Sequence, residues 1–360
     1  MRIVGIGGGT GLPVLLSGLT EIADGKTPLD VTAIVTVSDS GGSTGVLRQA
    51  FNMPAMGDIR NCLISLAAKE SILTSVCQHR FENPENFAGH SVGNLILSAL
   101  YQMSGNFGAA VRQASELLGL KGRVLPVTET PVTLCALYED GTTTEGESNI
   151  PKAGVRISRV WLEPDQPSPA PGVLEALETA DAIVIGPGSL YTSIIPNLLV
   201  GGVADALKSS RAIKIYICNL MTQPGETTGY SAADHVRALL DHLPAPSGRA
   251  SREAAGEGRS CIDLCLLNSS TVGTAVAERY LESGSEIVCG GSEDEDQIRR
   301  SGVVPVAAPL LKDGQVKVRH APTTLARLVV SLARGFAGVH ETVCGQENRR
   351  LYVRNRRIYR

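Results

Sequence analysis

Four glycine- and hydroxyl-rich segments of the sequence each follow a short apolar run. The segments are GGGTG at residues 7–11, SDSGGSTG at 38–45, GPGSLYTSIIPN at 186–197 and NLMTQPGET at 219–227. Glycine turns expose backbone N–H groups, and the positive end of a following helix favours an anion. No Ser/His/Asp order, HExxH helix or GKS loop accompanies them, so the segments predict phosphate binding and not covalent catalysis.

The first segment resembles a dinucleotide-binding turn but breaks its rule. Gly5, Gly7, Gly9 and Gly11 alternate, and Thr10 stands where the fingerprint requires its third glycine. In a dinucleotide-binding fold a lone acidic residue at the end of the second strand binds the ribose, whereas here SDSGGSTG stands at that place. An NAD(P)-dependent oxidoreductase is therefore disfavoured, although NAD(P) could enter because its pyrophosphate would meet the same loops. The alternative for these glycines is a tight turn that needs positive φ.

Asp39, Asp58 and His90 are ionisable side chains in or near these segments that could contact a phosphate or its metal ion. Asp39 and Asp58 could hold Mg²⁺ through oxygen ligands if they lie close to phosphates. The alternative is that both carboxylates cap helices, and for Asp58, which precedes IRNCLISLAA, capping is at least as favoured. His90, in HSVGN, could donate to a phosphate, although a lone histidine before a helix is more often a structural cap.

Short runs rich in Val and Ile alternate with helical patterns along the chain. The runs RIVGIG, DVTAIVTV, DAIVIG, AIKIYICN and CIDLCLLN are continuously apolar, which is typical of strands covered on both faces. The sequence predicts an α/β fold with a Rossmann-like, doubly wound, mostly parallel sheet. The carboxyl ends of such strands share one edge of the sheet, so we expect the four polar segments to surround a common hollow.

The stretches between these runs predict further features. Helical periodicity over about residues 46–120 indicates a helical insertion, and β-branched residues with an Asp-Gly turn at 123–147 indicate a hairpin. Pro, Gly, Ser and charged residues at 244–260 predict a mobile surface loop inside the fold. Six arginines between Arg349 and Arg360 make residues 345–360 a basic tail, to which we assign no function.

Composition excludes several classes of protein. The 360 residues carry a net charge of -3, so there is no overall positive field that would attract nucleic acid. The eight cysteines have no CxxC spacing, which argues against a zinc site or a disulfide scaffold. The first residues form no basic n-region with a cleavable apolar segment, and no apolar run reaches the roughly 18 residues that a membrane span needs, so we expect neither a signal peptide nor a membrane span. We expect a cytoplasmic protein without a membrane span.

Six motifs, in this order and spacing, closely resemble the YvcK-type gluconeogenesis factors of the YvcK/CofD superfamily: GGGTG, SDSGGSTG, GDIRN, HSVGN, GPGSLYTSIIPN and NLMTQPGET. The resemblance covers roughly residues 1–340. It implies a single CofD-like domain over residues 1–344 that forms a homodimer. It also implies a regulator of carbon metabolism and cell shape without an established reaction, which binds UDP-sugars such as UDP-N-acetylglucosamine and acts on an unknown protein partner.

Two further site residues follow from the resemblance alone. The sugar-nucleotide site of the family includes a Tyr in an ERY segment and an Arg in an RH segment, which correspond here to Tyr280 and Arg319. A tyrosine ring can stack on a base or sugar, and an arginine can form a bidentate pair with a diphosphate. Some relatives carry a phosphorylatable Thr after RH, but here RHAPT places Thr323 one residue late, which puts phosphorylation there in doubt.

The alternative function is that of a CofD-like, Mg²⁺-dependent transferase, which moves a phospholactyl group from a nucleoside diphosphate derivative to a deazaflavin. SDSGGSTG replaces the TGDD pattern of those enzymes, and Asp39 and Asp58 align with their metal-binding residues only loosely. We predict no catalytic residue. The predicted nucleotide-binding residues are Gly8, Gly9, Thr10, Gly11, Asp39, Ser40, Gly41, Gly42, Ser43, Thr44, Asn61, His90, Asn94, Gly186, Gly188, Ser189, Tyr191, Asn197, Asn219, Gln223, Tyr280 and Arg319.

Overall fold

A computed structural model describes most of the chain. The described residues are 1–23, 28–67, 71–82, 89–243, 261–288, 290–312 and 317–342, with side chains up to 336. The predicted mobile loop at 244–260 and the basic tail at 345–360 lie outside the described residues.

A parallel sheet of seven strands forms the centre of the fold. Its order is β10-β9-β8-β7-β1-β2-β3. The strands are β1 (Arg2–Gly7), β2 (Asp30–Val35), β3 (Arg123–Pro126), β7 (Ala182–Ile185), β8 (Ile213–Ile217), β9 (Leu264–Asn268) and β10 (Val304–Ala308). The five apolar runs of the sequence are β1, β2, β7, β8 and β9, and their side chains are nearly all buried. The predicted α/β class with a mostly parallel sheet is therefore confirmed.

A smaller antiparallel sheet, in the order β5-β4-β6, follows β3. It consists of β4 (Thr133–Tyr138), β5 (Thr143–Glu145) and β6 (Ile157–Glu163). The hairpin predicted at 123–147 is only partly present: β4 and β5 pair across the Asp140–Gly141 turn, but β3 instead pairs in parallel with β2. Pro126 has no N–H to donate, and it ends β3 at the edge of the large sheet, where that loss is tolerated.

Helices cover both faces of the large sheet. They are α1 (Gly11–Ala23), α2 (Gly42–Phe51), α3 (Gly57–Leu66), α4 (Ile72–Gln78), α5 (Val92–Ser104), α6 (Phe107–Leu118), α7 (Val173–Thr179), α8 (Ile195–Leu198), α9 (Val203–Ser209), α10 (Ala232–Asp241), α11 (Thr274–Glu282), α12 (Ser292–Arg300) and α13 (Pro322–Thr342). A 3-10 helix spans Glu147–Ala153, and a π-helical turn spans Leu190–Ile194. Helices α2 to α6 lie between β2 and β3, where the helical insertion is predicted.

Helix α1 packs against the sheet, α3 and α13. One face of this helix is fully buried and consists of Leu12, Leu15, Leu16 and Leu19. On another side it packs against α13 so closely that a Cβ at Gly18 would lie 2.1 Å from the Pro322 carbonyl oxygen. This packing fixes the residues just before α13, which include Arg319 and His320, beside the start of α1.

No single helix of the described chain has the length and apolarity to cross a membrane. Only the bent pair Leu190–Leu198 and Val203–Ser209 reaches those limits jointly, by length and composition. Most residues of this pair are buried in the core of the fold.

Candidate functional site

The loop after β1 lies between two other elements at the carboxyl edge of the sheet. A Cβ at Gly11 would lie 2.3 Å from the Pro187 carbonyl oxygen, in the loop after β7. A Cβ at Gly8 would lie 2.5 Å from Asp58 Oδ2, in the first turn of α3. These two glycines are therefore required by close approach, and of the glycines in this loop only Gly9 has positive φ, at 61°.

The strand order explains why a crevice forms here. Strand β1 pairs with β2 on one side and with β7 on the other. The chain leaves β1 through α1 towards β2, and the strands after β7 extend the sheet in the opposite direction. The loops after β1 and β7 therefore diverge, and the crevice between them is where open α/β sheets bind ligands.

A cavity of about 300 Å³ occupies this crevice. We call it the strand-end cavity. It brings together eight residues that the sequence analysis predicts, from the loops after β1, β7 and β8 and from the two segments indicated by the resemblance: Thr10, Gly11, Gly188, Ser189, Asn219, Gln223, Tyr280 and Arg319. Tyr280 and Arg319 are held together because Tyr280 Oη accepts a hydrogen bond of 3.0 Å from the Val318 backbone N–H.

A second cavity of about 520 Å³ lies next to the first. We call it the α1–α3 cavity, because those two helices supply most of its lining: Thr10, Pro13, Val14, Ser17, Arg60, Asn61, Ile64, Ser65, Gln78, Lys312, Arg319, His320 and Pro322. The two cavities share Thr10, Val14, Arg319 and His320. Their lining carries three cationic side chains, from Arg60, Lys312 and Arg319, and no carboxylate, which favours an anionic ligand.

Two acceptor atoms among the lining residues are buried without a hydrogen-bond partner in the described structure: Asn219 Oδ1 and His320 Nε2. His320 donates its other ring N–H to the Cys218 carbonyl oxygen, and burial lowers its pKa to about 4. The imidazole is therefore neutral, and Nε2 is an acceptor. Unpaired buried polar atoms are costly, so these acceptors favour a ligand that brings hydroxyl or N–H donors next to its anionic group.

The loop after β2 is placed differently from the prediction. None of Asp39, Ser40, Gly41, Gly42, Ser43 and Thr44 lines either cavity. The loop turns towards the helical insertion and the small sheet, because Ser40 Oγ donates to Ser148 Oγ at 3.2 Å and Asp39 Oδ1 accepts from the Gly41 N–H at 2.8 Å. The expectation that four strand ends surround one hollow is therefore wrong for β2: three of them do, and the fourth faces a separate polar cluster.

A chain of side-chain hydrogen bonds links that cluster to the cavities. Ser43 Oγ contacts His90 Nδ1 at 2.9 Å and accepts from Asn94 Nδ2 at 3.2 Å. Arg60 donates to Asn94 Oδ1 and to Asn61 Oδ1, each at 2.8 Å, and Asn61 Nδ2 donates to the Gly9 carbonyl oxygen at 3.3 Å. The second loop is therefore connected to the first through this network.

The capping alternatives for His90 and Asp58 are resolved by the same geometry. Ser91, and not His90, is the N-cap of α5, since its side chain accepts from the Asn94 N–H. Asp58 lies in the first turn of α3, where the cap position is Met56, and its carboxyl accepts from the Gly9 N–H. Asp58 therefore fixes the first glycine loop and does not cap its own helix.

Asp58 and Asp39 are electrostatically coupled. Burial, followed by the negative charge of Asp39, raises the pKa of Asp58 to about 7. Asp39 Oδ2 would lie 2.6 Å from a Cβ at Gly57, so its carboxylate is next to the start of α3. Burial and Asp39 also raise the pKa of Glu147. Within the described residues, no group of three or more His, Cys, Asp or Glu side chains could hold a metal ion. Binding of Mg²⁺ by Asp39 and Asp58 therefore stays a prediction, in which a bound phosphate would supply the further oxygen atoms that the ion needs.

Three residues predicted to bind ligand have structural contacts instead. Tyr191 is 2% exposed, and its hydroxyl hydrogen-bonds that of Tyr230 at 2.8 Å. Asn197 is fully buried, and its Nδ2 donates to the Gly7 carbonyl oxygen at 3.2 Å. Gly186 has φ of 82°, and its N–H donates to the Ile6 carbonyl oxygen. None of the three lines either cavity, so they position the loops after β1 and β7.

Among the lining residues that sequence reasoning missed are two cations, Arg60 and Lys312, and the imidazole of His320. Arg60 stands directly before the predicted Asn61, and His320 directly after the predicted Arg319. Their motifs, GDIRN and RH, are therefore the signal that could have identified them. Lys312 lies in a segment without a motif, and only the tertiary structure brings it to the α1–α3 cavity.

Comparison with known proteins agrees with this fold and these motifs. The family model of 2-phospho-L-lactate transferase CofD matches residues 3–311. The chain is 40% identical over 329 residues to the gluconeogenesis factor of Halalkalibacterium halodurans, covering 91% of this chain and 95% of that protein. It is 41% identical over 334 residues to the gluconeogenesis factor of Bacillus subtilis, covering 92% and 98%.

A crystal structure of a Bacillus halodurans protein superposes with a TM-score of 0.83 at 40% identity, over 91% of this chain and 98% of that one. A second crystal structure from that organism, described as a member of the upf0052 family, gives a TM-score of 0.82. The family match, the sequence identity and the shared fold extend over nearly the whole chain. The chain therefore belongs to the CofD family and, within it, to the gluconeogenesis factors.

Proposed function

We propose that this protein is a cytoplasmic regulator that binds a nucleoside diphosphate sugar, with UDP-N-acetylglucosamine as the representative ligand. The observation that carries the proposal is the strand-end cavity, where donors of three strand-end loops meet Tyr280 and Arg319. The cavity lies between β1 and β7, where the direction in which successive strands are added to the sheet reverses. A diphosphate is the ligand group that suits the start of a helix, hydroxyl donors and an arginine together.

Each part of the ligand has a matching group in the strand-end cavity. The N-terminus of α1 and the Arg319 guanidinium, which is exposed, supply positive charge for the two phosphates. The Tyr280 ring offers a face for a base or a sugar. The unpaired acceptors of Asn219 and His320 suit the hydroxyl groups of a sugar or the N–H of a base. NAD(P) shares the diphosphate and is the competing ligand.

The regulatory part of the proposal comes from the family. The names of the relatives support a role in gluconeogenic metabolism. We extend this to control of carbon metabolism and cell shape by a homodimer, in which an unidentified protein partner distinguishes the occupied state from the empty state. A ligand produces such a switch only if it binds the two states with different affinity.

Isothermal titration calorimetry with UDP-N-acetylglucosamine tests the binding step. We expect a dissociation constant in the micromolar range, about -8 kcal/mol, and no turnover of the nucleotide. Arg319→Ala should weaken binding at least tenfold. Arg211→Ala is the matched control, because Arg211 is an exposed arginine just before β8, at the opposite edge of the sheet. Absence of heat with every UDP-sugar tested, on folded protein, would contradict the proposal.

A Mg²⁺-dependent transferase of the CofD type is the second candidate. It is favoured by the family match over residues 3–311 and by the proximity of Asp58 and Asp39 to the first loop and α3. Two carboxylates and phosphate oxygens together could complete the oxygen shell that Mg²⁺ requires. In this case Mg²⁺ should tighten nucleotide binding in the wild type and not in Asp39→Asn. Equal effects of Mg²⁺ on both proteins would argue against the metal role.

A further inference from the structure

We propose that the α1–α3 cavity is a second binding site, which adjoins the nucleotide site, for a small dianion that carries phosphoryl or carboxylate groups. The cavity has a volume of about 520 Å³, which is in the range of small-molecule sites. The inference does not depend on nucleotide binding, because Arg60 and Lys312, the two cations on which it rests, line this cavity and not the strand-end cavity.

Arg60 is the buried cation of this cavity. It is only 8% exposed, yet it forms no ion pair with a carboxylate in the described part of the chain. Asp58 and Asp39 act on it only from beyond contact distance, and Arg80 adds a like charge nearby. Buried charges in proteins are normally paired, because an unpaired charge loses its hydration without compensation. A buried arginine that lines a cavity without a partner therefore calls for an anion.

The hydrogen bonds of Arg60 leave part of its guanidinium available. Nη1 donates to Ser91 Oγ and Asn94 Oδ1, and Nη2 donates to Asn61 Oδ1. A guanidinium has five N–H donors. The Nε–H and one Nη2–H therefore have no acceptor among the described residues, and two N–H groups of one guanidinium can bind a carboxylate or phosphate in a bidentate manner. Neutral amides and a hydroxyl hold the charge in place without cancelling it.

Lys312 and Arg319, which are exposed, add positive charge to the same cavity, while no carboxylate lines it. Arg60 and Lys312 line this cavity and not the strand-end cavity, and two such cations fit two negative charges better than one. A dianion held by the buried Arg60 and the exposed Lys312 would therefore leave Arg319 able to act on the strand-end cavity as well.

This cavity adjoins the nucleotide site but differs from it in most of its lining. Its lining comes from Thr10, from the flank of α1, from α3, from Gln78 and from residues 312–322, and it includes no residue of the loops after β7 or β8. The strand-end cavity is lined by both of those loops and by no residue of α3, although the two cavities share Thr10, Val14, Arg319 and His320. Lys312 and Arg60 line only the first, and Gln223 lines only the second, so the two sites can be changed independently.

Titration of inorganic phosphate and of succinate into the full chain, at ionic strength held constant with sodium chloride, tests this site by calorimetry. We expect Lys312→Ala to weaken binding at least fivefold and Arg60→Lys at least tenfold, because lysine lacks the bidentate fork. Lys317→Ala, an exposed lysine that lines neither cavity, is the matched control. Lys312→Ala carries the test if Arg60→Lys fails to fold. Tighter binding of phosphate identifies a phosphoryl ligand, and tighter binding of succinate a dicarboxylate.

Gln223→Ala and UDP-N-acetylglucosamine distinguish the two sites. We expect phosphate to bind Gln223→Ala as it binds wild type and to bind in the presence of saturating nucleotide. The inference is overturned if neither anion binds more than chloride does, or if Lys312→Ala and Arg60→Lys bind as wild type does. It is also overturned if the nucleotide displaces phosphate and Gln223→Ala abolishes its binding. Failure of the nucleotide to bind would contradict the proposed function and leave the phosphate result standing.

Discussion

Replacing Asp58 with asparagine removes a titrating carboxyl from beneath the first glycine loop without removing its hydrogen bond. Asp58 is 9% exposed and accepts from the Gly9 N–H. Burial is the largest cause of its raised pKa, the charge of Asp39 is the second, and the result is about 7 in place of 3.8. Asparagine has nearly the same shape, and its Oδ1 can still accept the Gly9 N–H. The variant therefore isolates the effect of charge.

The expected pH dependence follows from the two pKa values. Between pH 3.8 and about pH 7 the folded chain keeps a proton that the unfolded chain has released, so the stability of the wild type falls as the pH rises. This contribution is present in full below pH 3.8 and is lost above about pH 7. It amounts to about 4 kcal/mol in total, and to about 3 kcal/mol between pH 5 and pH 8, at 1.36 kcal/mol per pKa unit.

Urea unfolding of the wild type and Asp58→Asn at pH 5, 6, 7 and 8 measures this difference. We expect the variant to gain about 3 kcal/mol relative to the wild type across that range. In an Asp39→Asn background the change should occur at lower pH, because one like charge is gone. Asp205→Asn, at an exposed carboxyl of α9, is the control and should show no such trend. A difference between wild type and Asp58→Asn that stays constant from pH 5 to pH 8 would refute the reasoning.

Three further predictions concern the loops and the buried carboxyls. Gly11→Ala should lower the free energy of unfolding by about 1–3 kcal/mol and abolish nucleotide binding in calorimetry, because the new Cβ would meet the Pro187 carbonyl. Gly273→Ala is the control: its Cβ would meet no atom within 4 Å, so this variant should bind the nucleotide normally. Tyr280→Phe keeps the ring but removes the acceptor of the Val318 N–H, so nucleotide titrations should show weaker binding than wild type but tighter binding than Tyr280→Ala. Burial raises the pKa of Glu226 from 4.5 to about 7. The contribution of this carboxyl to the free energy of unfolding is therefore present in full below pH 4.5 and is lost as the pH rises to about 7. Urea unfolding of Glu226→Gln should not show this loss.

The fold could be predicted from sequence because its signals are local. Continuous apolar runs identified five of the seven strands of the large sheet, and helical periodicity identified the helices between β2 and β3. Strand β10 was not predicted, and the β3 segment was assigned to a hairpin instead of the large sheet, because both are edge strands. The burial of Val304–Ala308 is partial, and Arg123–Pro126 is short, so neither gives a strong apolar pattern. Edge position is a property of the assembled sheet and leaves little trace in a single segment.

The sequence by itself determined the glycine loops after β1 and β7, because only residues without a side chain permit the approach of Gly11 to the Pro187 carbonyl. Only the tertiary structure decided which polar groups line the two cavities. It buried Tyr191 and Asn197 behind the loops, turned the loop after β2 towards Ser148, and brought Arg60 and Lys312, 252 positions apart in sequence, to one cavity. Side-chain chemistry shows what a residue can bind, whereas long-range packing determines whether it meets a ligand or another part of the chain.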